Sequence, residues 1–190
     1  AVGMGMNPSS IRTGLFSEKI VELSPVDSDK ATIVWEWHVW DHLNQDFSPS
    51  APNFDVVSDH PELVNINYLP FTAFPDWLHI NSIAYNATYD QILISVHNFS
   101  EIWVIDHSTT TAEAASHTGG RYHEGGDLLY RWGNPAAYNR GTAADQVFFG
   151  QHDAQWIANG LKDSGKIMVF NNGMDRPGIP YSSIDIINPP

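Results

Sequence analysis

The chain has 190 residues, 42% of them hydrophobic and 12% aromatic, a formal net charge of −13 and no cysteine. That composition supports a folded domain with its own core and excludes intrinsic disorder, disulfides, thiolate catalysis and zinc–thiolate sites. Nine Lys and Arg against 22 Asp and Glu cannot assemble the basic face that nucleic acid requires, and no apolar run approaches the ~20 residues that span a bilayer. Nine His equal the Lys and Arg together, so a site for an anion would lean on imidazoles. The acidic balance suits a secreted or periplasmic protein. No cationic-headed apolar leader opens the sequence; a leader removed on export or encoded upstream fits the same assignment.

In chain order, short β-branched and aromatic runs bounded by turn residues predict strands at 19–24, 32–39, 80–85, 91–97, 101–106, 128–132, 154–157, 166–171 and 183–187. Trp35, Trp37 and Val39 alternate with Glu36 and His38, which is a strand pattern. The spacing of His38 and His42 would suit a metal on a helix; here it reads as a strand running into a short turn near 40–44. Helical periodicity is weak elsewhere, so the expected class is antiparallel all-β. The strands group into repeats. HINSIAY, QILISV, EIWVID and LLYRWG form one unit, HDAQWI, KIMVF and SSIDII begin the next, and KIVELS with TIVWEWH match the end of a preceding one. Four-stranded units in series predict a β-propeller.

The chain holds roughly two and a half such blades, whereas propellers close with about four to eight. The expectation is an internal fragment: 1–190 as part of one propeller domain, with the Pro-, Asn- and Asp-rich stretch 43–76 as an insertion across one face. Unpaired strand edges in such a fragment predict insolubility or homo-oligomerisation.

His79 and His152 each begin the first strand of successive units. First strands of propeller blades line the central channel, so the two imidazoles should face one pocket, within about 12 Å if both serve one small group. Asp106–His107 and His152–Asp153 suggest carboxylate–imidazole pairs. No G-x-S-x-G is present, which argues against a serine hydrolase. Gly119–Gly120 and Gly125–Gly126 frame a flexible surface loop, without the strand-to-helix context of a phosphate loop. Arg131 and Arg176 could serve an anion, though structural or surface ion pairs are the commoner use of such residues. Among the seven Trp, most read as packing, and Trp77 and Trp156, near the two motif histidines, are the candidates for stacking on an aromatic ligand.

The segment DWLHINSIAYNATYDQILISVHN and the segments GQHDAQWI, KIMVFNNGMDRP and YSSIDII resemble bacterial aryl-sulfate sulfotransferases, across 15–190 and most closely over 76–106 and 150–187. The resemblance implies a six-bladed propeller with its active site in the axial channel. It implies sulfuryl transfer from a phenolic sulfate ester to a phenol, without nucleotide, cofactor or metal, through a transiently sulfurylated histidine. By position His152 is the nucleophile, and His79 and Asn81 hold sulfate oxygens or protonate the departing phenolate. The family pattern carries an arginine where this sequence has His97. Arginine clamps sulfate permanently and bidentately, whereas imidazole does so only when protonated.

Elementary chemistry agrees with these roles. A neutral imidazole, with an ordinary pKa of ~6.5, is a competent nucleophile near neutrality, and a second, protonated one can serve as acid. Two other function classes stay open: a non-catalytic binding or assembly propeller with a degenerate pocket, and a metal-dependent hydrolase or lyase built in a His-rich channel.

Overall fold

A computed structural model describes residues 2–8, 15–68 and 75–190. Residues 69–74, part of the stretch expected to form an insertion, lie outside the described residues. Among the described residues the fold is mostly antiparallel β-sheet, with one helix of a single turn and several 3-10 turns. Strands β1 (Lys19–Asp27) and β2 (Lys30–His38) form a hairpin. Strands β3 (Leu43–Asn44) and β4 (Val64–Asn65) make a short parallel pair. A four-stranded meander follows: β5 (Ile80–Asn86), β6 (Gln91–Val96), β7 (Glu101–Asp106) and β8 (Leu128–Trp132). Strands β9 (His152–Trp156), β10 (Ile167–Asn171) and β11 (Ser183–Ile187) form a three-stranded antiparallel sheet. All nine stretches expected to be strands are strands. The stretch after β2 turns at once into a 3-10 turn, Val39–His42, so His38 and His42 never share a helix.

Strands β6 and β7 are buried on both faces, and the period of two in a strand sorts their side chains. Ile92, Ile94, Val96, Trp103 and Ile105 pack with Trp35, Trp37, Leu43, Val64 and Ile66, so the 43–66 region is folded into this core. The alternate residues Leu93, Ile102 and Val104 pack with Ala154, Ile167 and Val169 from β9 and β10. The meander is thus clamped between the β1–β2 side and the β9–β11 side. Fully burying an aliphatic or aromatic side chain of this kind stabilises by about 1.5–3 kcal/mol relative to exposure. Glu101 is fully buried at the start of β7; Arg131 on β8 answers it with Nε–Oε1 at 3.1 Å, and Trp103 donates to it at 2.8 Å. That pairing gives Arg131 the structural one of its two expected roles.

The loop from Ser108 to Asp127 is more ordered than its glycines suggest. Helix α1 (Thr111–Ala114) is nucleated by a capping box: the Thr110 hydroxyl accepts from Glu113 N–H, and the Glu113 carboxylate accepts from Thr110 N–H. Gly126 sits where a Cβ would lie 2.0 Å from the Ala114 carbonyl oxygen, which leaves no room for any other residue.

Candidate active site

Two β-bulges shape the facing ends of β5 and β9. On β5, Ile80 pairs with Val96 and Ser82 with Ser95, leaving Asn81 as the extra residue. On β9, His152 pairs with Phe170 and Gln155 with Met168, so Asp153 and Ala154 face Val169 alone. A bulge bends the strand and re-aims its side chains. Left-handed backbone precedes the first bulge, at His79 (φ 53°), and lies within the second, at Asp153 (φ 54°), a conformation that costs non-glycine residues of order 1 kcal/mol.

Side-chain bonds stitch the two strand ends together. Asn81 donates to the Gln151 carbonyl at 2.9 Å, and the Ser82 hydroxyl accepts from Ala154 N–H at 3.0 Å. Gln151 is fully buried, and its Nε2 donates to the Glu101 carbonyl at 2.7 Å and to the Val96 carbonyl at 3.2 Å. On the other side, His97 N–H donates to the His79 carbonyl at 3.2 Å, and Asn98 N–H to the Leu78 carbonyl at 3.1 Å.

These constraints put three imidazoles in a row. His97 lies between His79 and His152, with ring centroids 5.1 Å from each and edge-to-face geometry on both sides. The outer two rings are therefore separated by at most twice that distance. Each Nδ1 meets an oxygen: His79 at Asp76 Oδ2 (2.6 Å), His97 at Asn98 Oδ1 (2.9 Å) and His152 at Asn172 Oδ1 (2.7 Å), with the Gly150 carbonyl at 3.2 Å. A carbonyl only accepts, so His152 carries its proton on Nδ1 and presents the lone pair of Nε2. No Nε2 of the three has a hydrogen-bond partner among the described residues. Burial holds the His97 pKa below its ordinary value of 6.5; neighbouring His152 and His79 push the same way, against the Asn98 hydrogen bond. Gly150, at φ 64°, completes the packing, since a Cβ there would lie 3.1 Å from His97 Nε2 and 2.9 Å from the Met174 methyl.

Glu18 stands beside this row and was not singled out in the sequence. Its carboxylate accepts from Ile80 N–H at 3.1 Å. Burial raises its pKa first; nearby Asp76 adds to the rise, while Ile80 N–H and His79 oppose it. Asp76 and Asn172 were likewise missed, although each follows a readable cue: Asp76 lies three residues before His79, and Asn172 opens the Asn-Gly turn after β10.

Other expectations separate from the cluster. Asp153 does not pair with His152; it accepts from Gln155 Nε2, because the left-handed backbone turns it away. Asp106 does not pair with His107 but binds the Ser108 hydroxyl at 2.6 Å, and His107 meets Asp90 at 2.8 Å and Glu22 at 3.2 Å. Trp77 is buried in the core and donates to the Tyr68 carbonyl at 3.0 Å. Trp156 lies at the far end of β9, lining a cleft of about 1060 Å³ with Tyr89, Tyr122, Tyr130 and Tyr138, and no histidine borders that cleft. Arg176 packs over Phe149 and Tyr181.

The model of the family described as Arylsulfotransferase (ASST) matches residues 17–180. Searches of curated proteins and of solved structures return no match to the chain.

Proposed function

The chain belongs to the arylsulfotransferase family, which acts on small aryl sulfates and phenols, and from that premise we propose that it transfers a sulfuryl group from a phenolic sulfate ester to a phenol through a sulfurylated His152. The observation that carries this reading is the row of three imidazoles, each held at Nδ1 by an oxygen and open at Nε2. In the first half-reaction His152 Nε2 attacks sulfur. The N–S bond forms as the S–O bond to the phenol breaks, and the departing phenolate takes a proton from His79 Nε2. In the second, the acceptor phenol gives its proton back to His79 and attacks sulfur, and the N–S bond breaks. Asp76, against His79 Nδ1, offers a counter-charge to that ring while it holds two protons. Asn81, bonded to the Gln151 carbonyl, positions the segment that delivers His152, and its second amide hydrogen serves a sulfate oxygen. His97, between the two, supplies the remaining contact to sulfate.

In the same reading β5–β8 is one propeller blade, β9–β11 opens the next and β1–β2 closes the previous one, within a six-bladed propeller. The stretch 43–76 is an insertion of that domain, and the protein works in the periplasm or outside the cell, as its acidity suggests. A second reading, a binding propeller that no longer catalyses, is favoured by one observation: His97 replaces the family arginine and its pKa is depressed, so it is largely uncharged at neutral pH. Acceptor-dependent release of nitrophenol from 4-nitrophenyl sulfate, without nucleotide, separates the two. The transferase reading predicts turnover in wild type and none in His152→Ala; no release by wild type would contradict it.

A further inference from the structure

Away from the imidazole row, His42, His117 and Asp127 converge. His42 Nδ1 lies 2.7 Å from Asp127 Oδ1, and His117 Nδ1 lies 2.9 and 3.0 Å from the two Asp127 oxygens. The potential ligand atoms of all three lie within 4.8 Å of one another. They come from separate parts of the chain: the 3-10 turn after β2, the loop after α1, and the residue before β8. We propose that these three side chains form a binding site for a divalent transition-metal ion of the zinc class.

The donor set selects the metal. Two imidazole nitrogens and one carboxylate suit zinc and its neighbours, whereas magnesium and calcium prefer oxygen alone. The surroundings are those a ligating histidine needs. His42 Nε2 is 2.8 Å from the Ala114 carbonyl, so the outward nitrogen donates to a fixed acceptor and Nδ1 is left to bind. The His42 ring is fully buried and stacks on Trp37 at 5.5 Å and 4°. Trp37 in turn donates to the Gly126 carbonyl at 2.7 Å, and a Cβ on Gly126 would lie 2.6 Å from His42 Nε2. Two ligands are therefore buried, His42 and Asp127. His117 is the exposed one, its side chain 59% exposed, and it opens the site to solvent. Tetrahedral ligands at ordinary zinc distances sit about 3.3 Å apart, so binding widens the 2.7 and 2.9 Å contacts that Asp127 makes with His42 and His117, and water completes the shell. Bound metal would fasten the 108–127 loop to the exit of β2. The site is independent of the proposed sulfuryl transfer.

The test uses chelator-treated protein, zinc chloride, equilibrium dialysis with metal analysis, and thermal melts. Wild type should bind one zinc per chain and melt several degrees higher with zinc than without. His117→Ala, which removes an exposed ring and leaves the core alone, should bind zinc at least about a hundredfold more weakly and lose the shift in melting temperature. His79→Ala, in the other cluster, should keep both. Magnesium chloride should shift neither protein. Equal zinc binding by wild type and His117→Ala, no binding by either, loss of the ion in His79→Ala instead, or an equal shift with magnesium would each overturn the site.

Discussion

His42 and the three imidazoles of the row are the same side chain and differ in what the second ring nitrogen meets. In His42 both nitrogens face oxygen, at Asp127 and at Ala114, and the ring is sealed against Trp37. In His79, His97 and His152 only Nδ1 is held, and Nε2 has no hydrogen-bond partner among the described residues. A ring engaged at both nitrogens is held in one place, as a ligating histidine must be. A ring whose tautomer is fixed and whose other nitrogen is open can attack, or deliver a proton. Burial separates these two rings likewise, since His42 is fully enclosed while the side chain of His79 is 48% exposed.

Substituting one residue from each cluster should break the comparison most sharply. His152→Ala should lower turnover by about a thousandfold or more, because the covalent route disappears, while its melting temperature stays near wild type. His42→Leu should do the reverse. It leaves Asp127, with a side chain only 5% exposed, without its buried partner, and the loss should be about 3 kcal/mol in chemical denaturation. A stable His42→Leu protein, or an unstable but active His152→Ala protein, would erase the distinction.

A finer cut tests the packing around the open nitrogens. Gly150→Ala puts a methyl group 3.1 Å from His97 Nε2 at a left-handed φ. Turnover should fall by about tenfold and stability by about 1 kcal/mol, measured by steady-state kinetics and by melting. Unchanged kinetics would mean that His97 has no part in the site.

The smallest expected effect is in pH dependence. His97 becomes a cation only below its depressed pKa, so the KM for aryl sulfate should improve by a few-fold as pH falls below about 6.5. His97→Arg should give a flatter profile with at least wild-type turnover above neutrality, since guanidinium keeps its charge. Stability moves the other way. Between 6.5 and the lowered value the unfolded chain binds a proton that the folded chain does not, so acidification through that window weakens the fold. His97→Gln should remove that slope in pH-dependent melts.

Much of the fold was legible because β-strands announce themselves locally. QILISV and EIWVID are apolar throughout, as strands buried on both faces must be, and the repeat grouping matched the sheets that formed. His79 and His152 were singled out by their equivalent places in the repeat, and His97 by the resemblance, which implies an arginine at its position. What was not legible depends on contacts between distant residues. Glu18 acts on Ile80 from 62 positions away, and Asp127 meets His42 across 85. The adjacent pairs Asp106–His107 and His152–Asp153 misled for the converse reason: neighbours along a strand point to opposite faces, and left-handed backbone at Asp153 turns its carboxylate toward Gln155. The order in the 108–127 loop had a readable signal in Thr110 and Glu113, the two ends of a capping box, hidden among glycines.

The central claim is that the open Nε2 of His152 accepts the sulfuryl group, and intact-mass measurement of protein mixed with 4-nitrophenyl sulfate and no acceptor tests it most directly. The account predicts a mass gain of one sulfuryl group in wild type, mapped to His152 by peptide fragmentation, lost when phenol is added and absent from His152→Ala. Acceptor-dependent nitrophenol release with no adduct on His152, or an adduct that persists in His152→Ala, would contradict it.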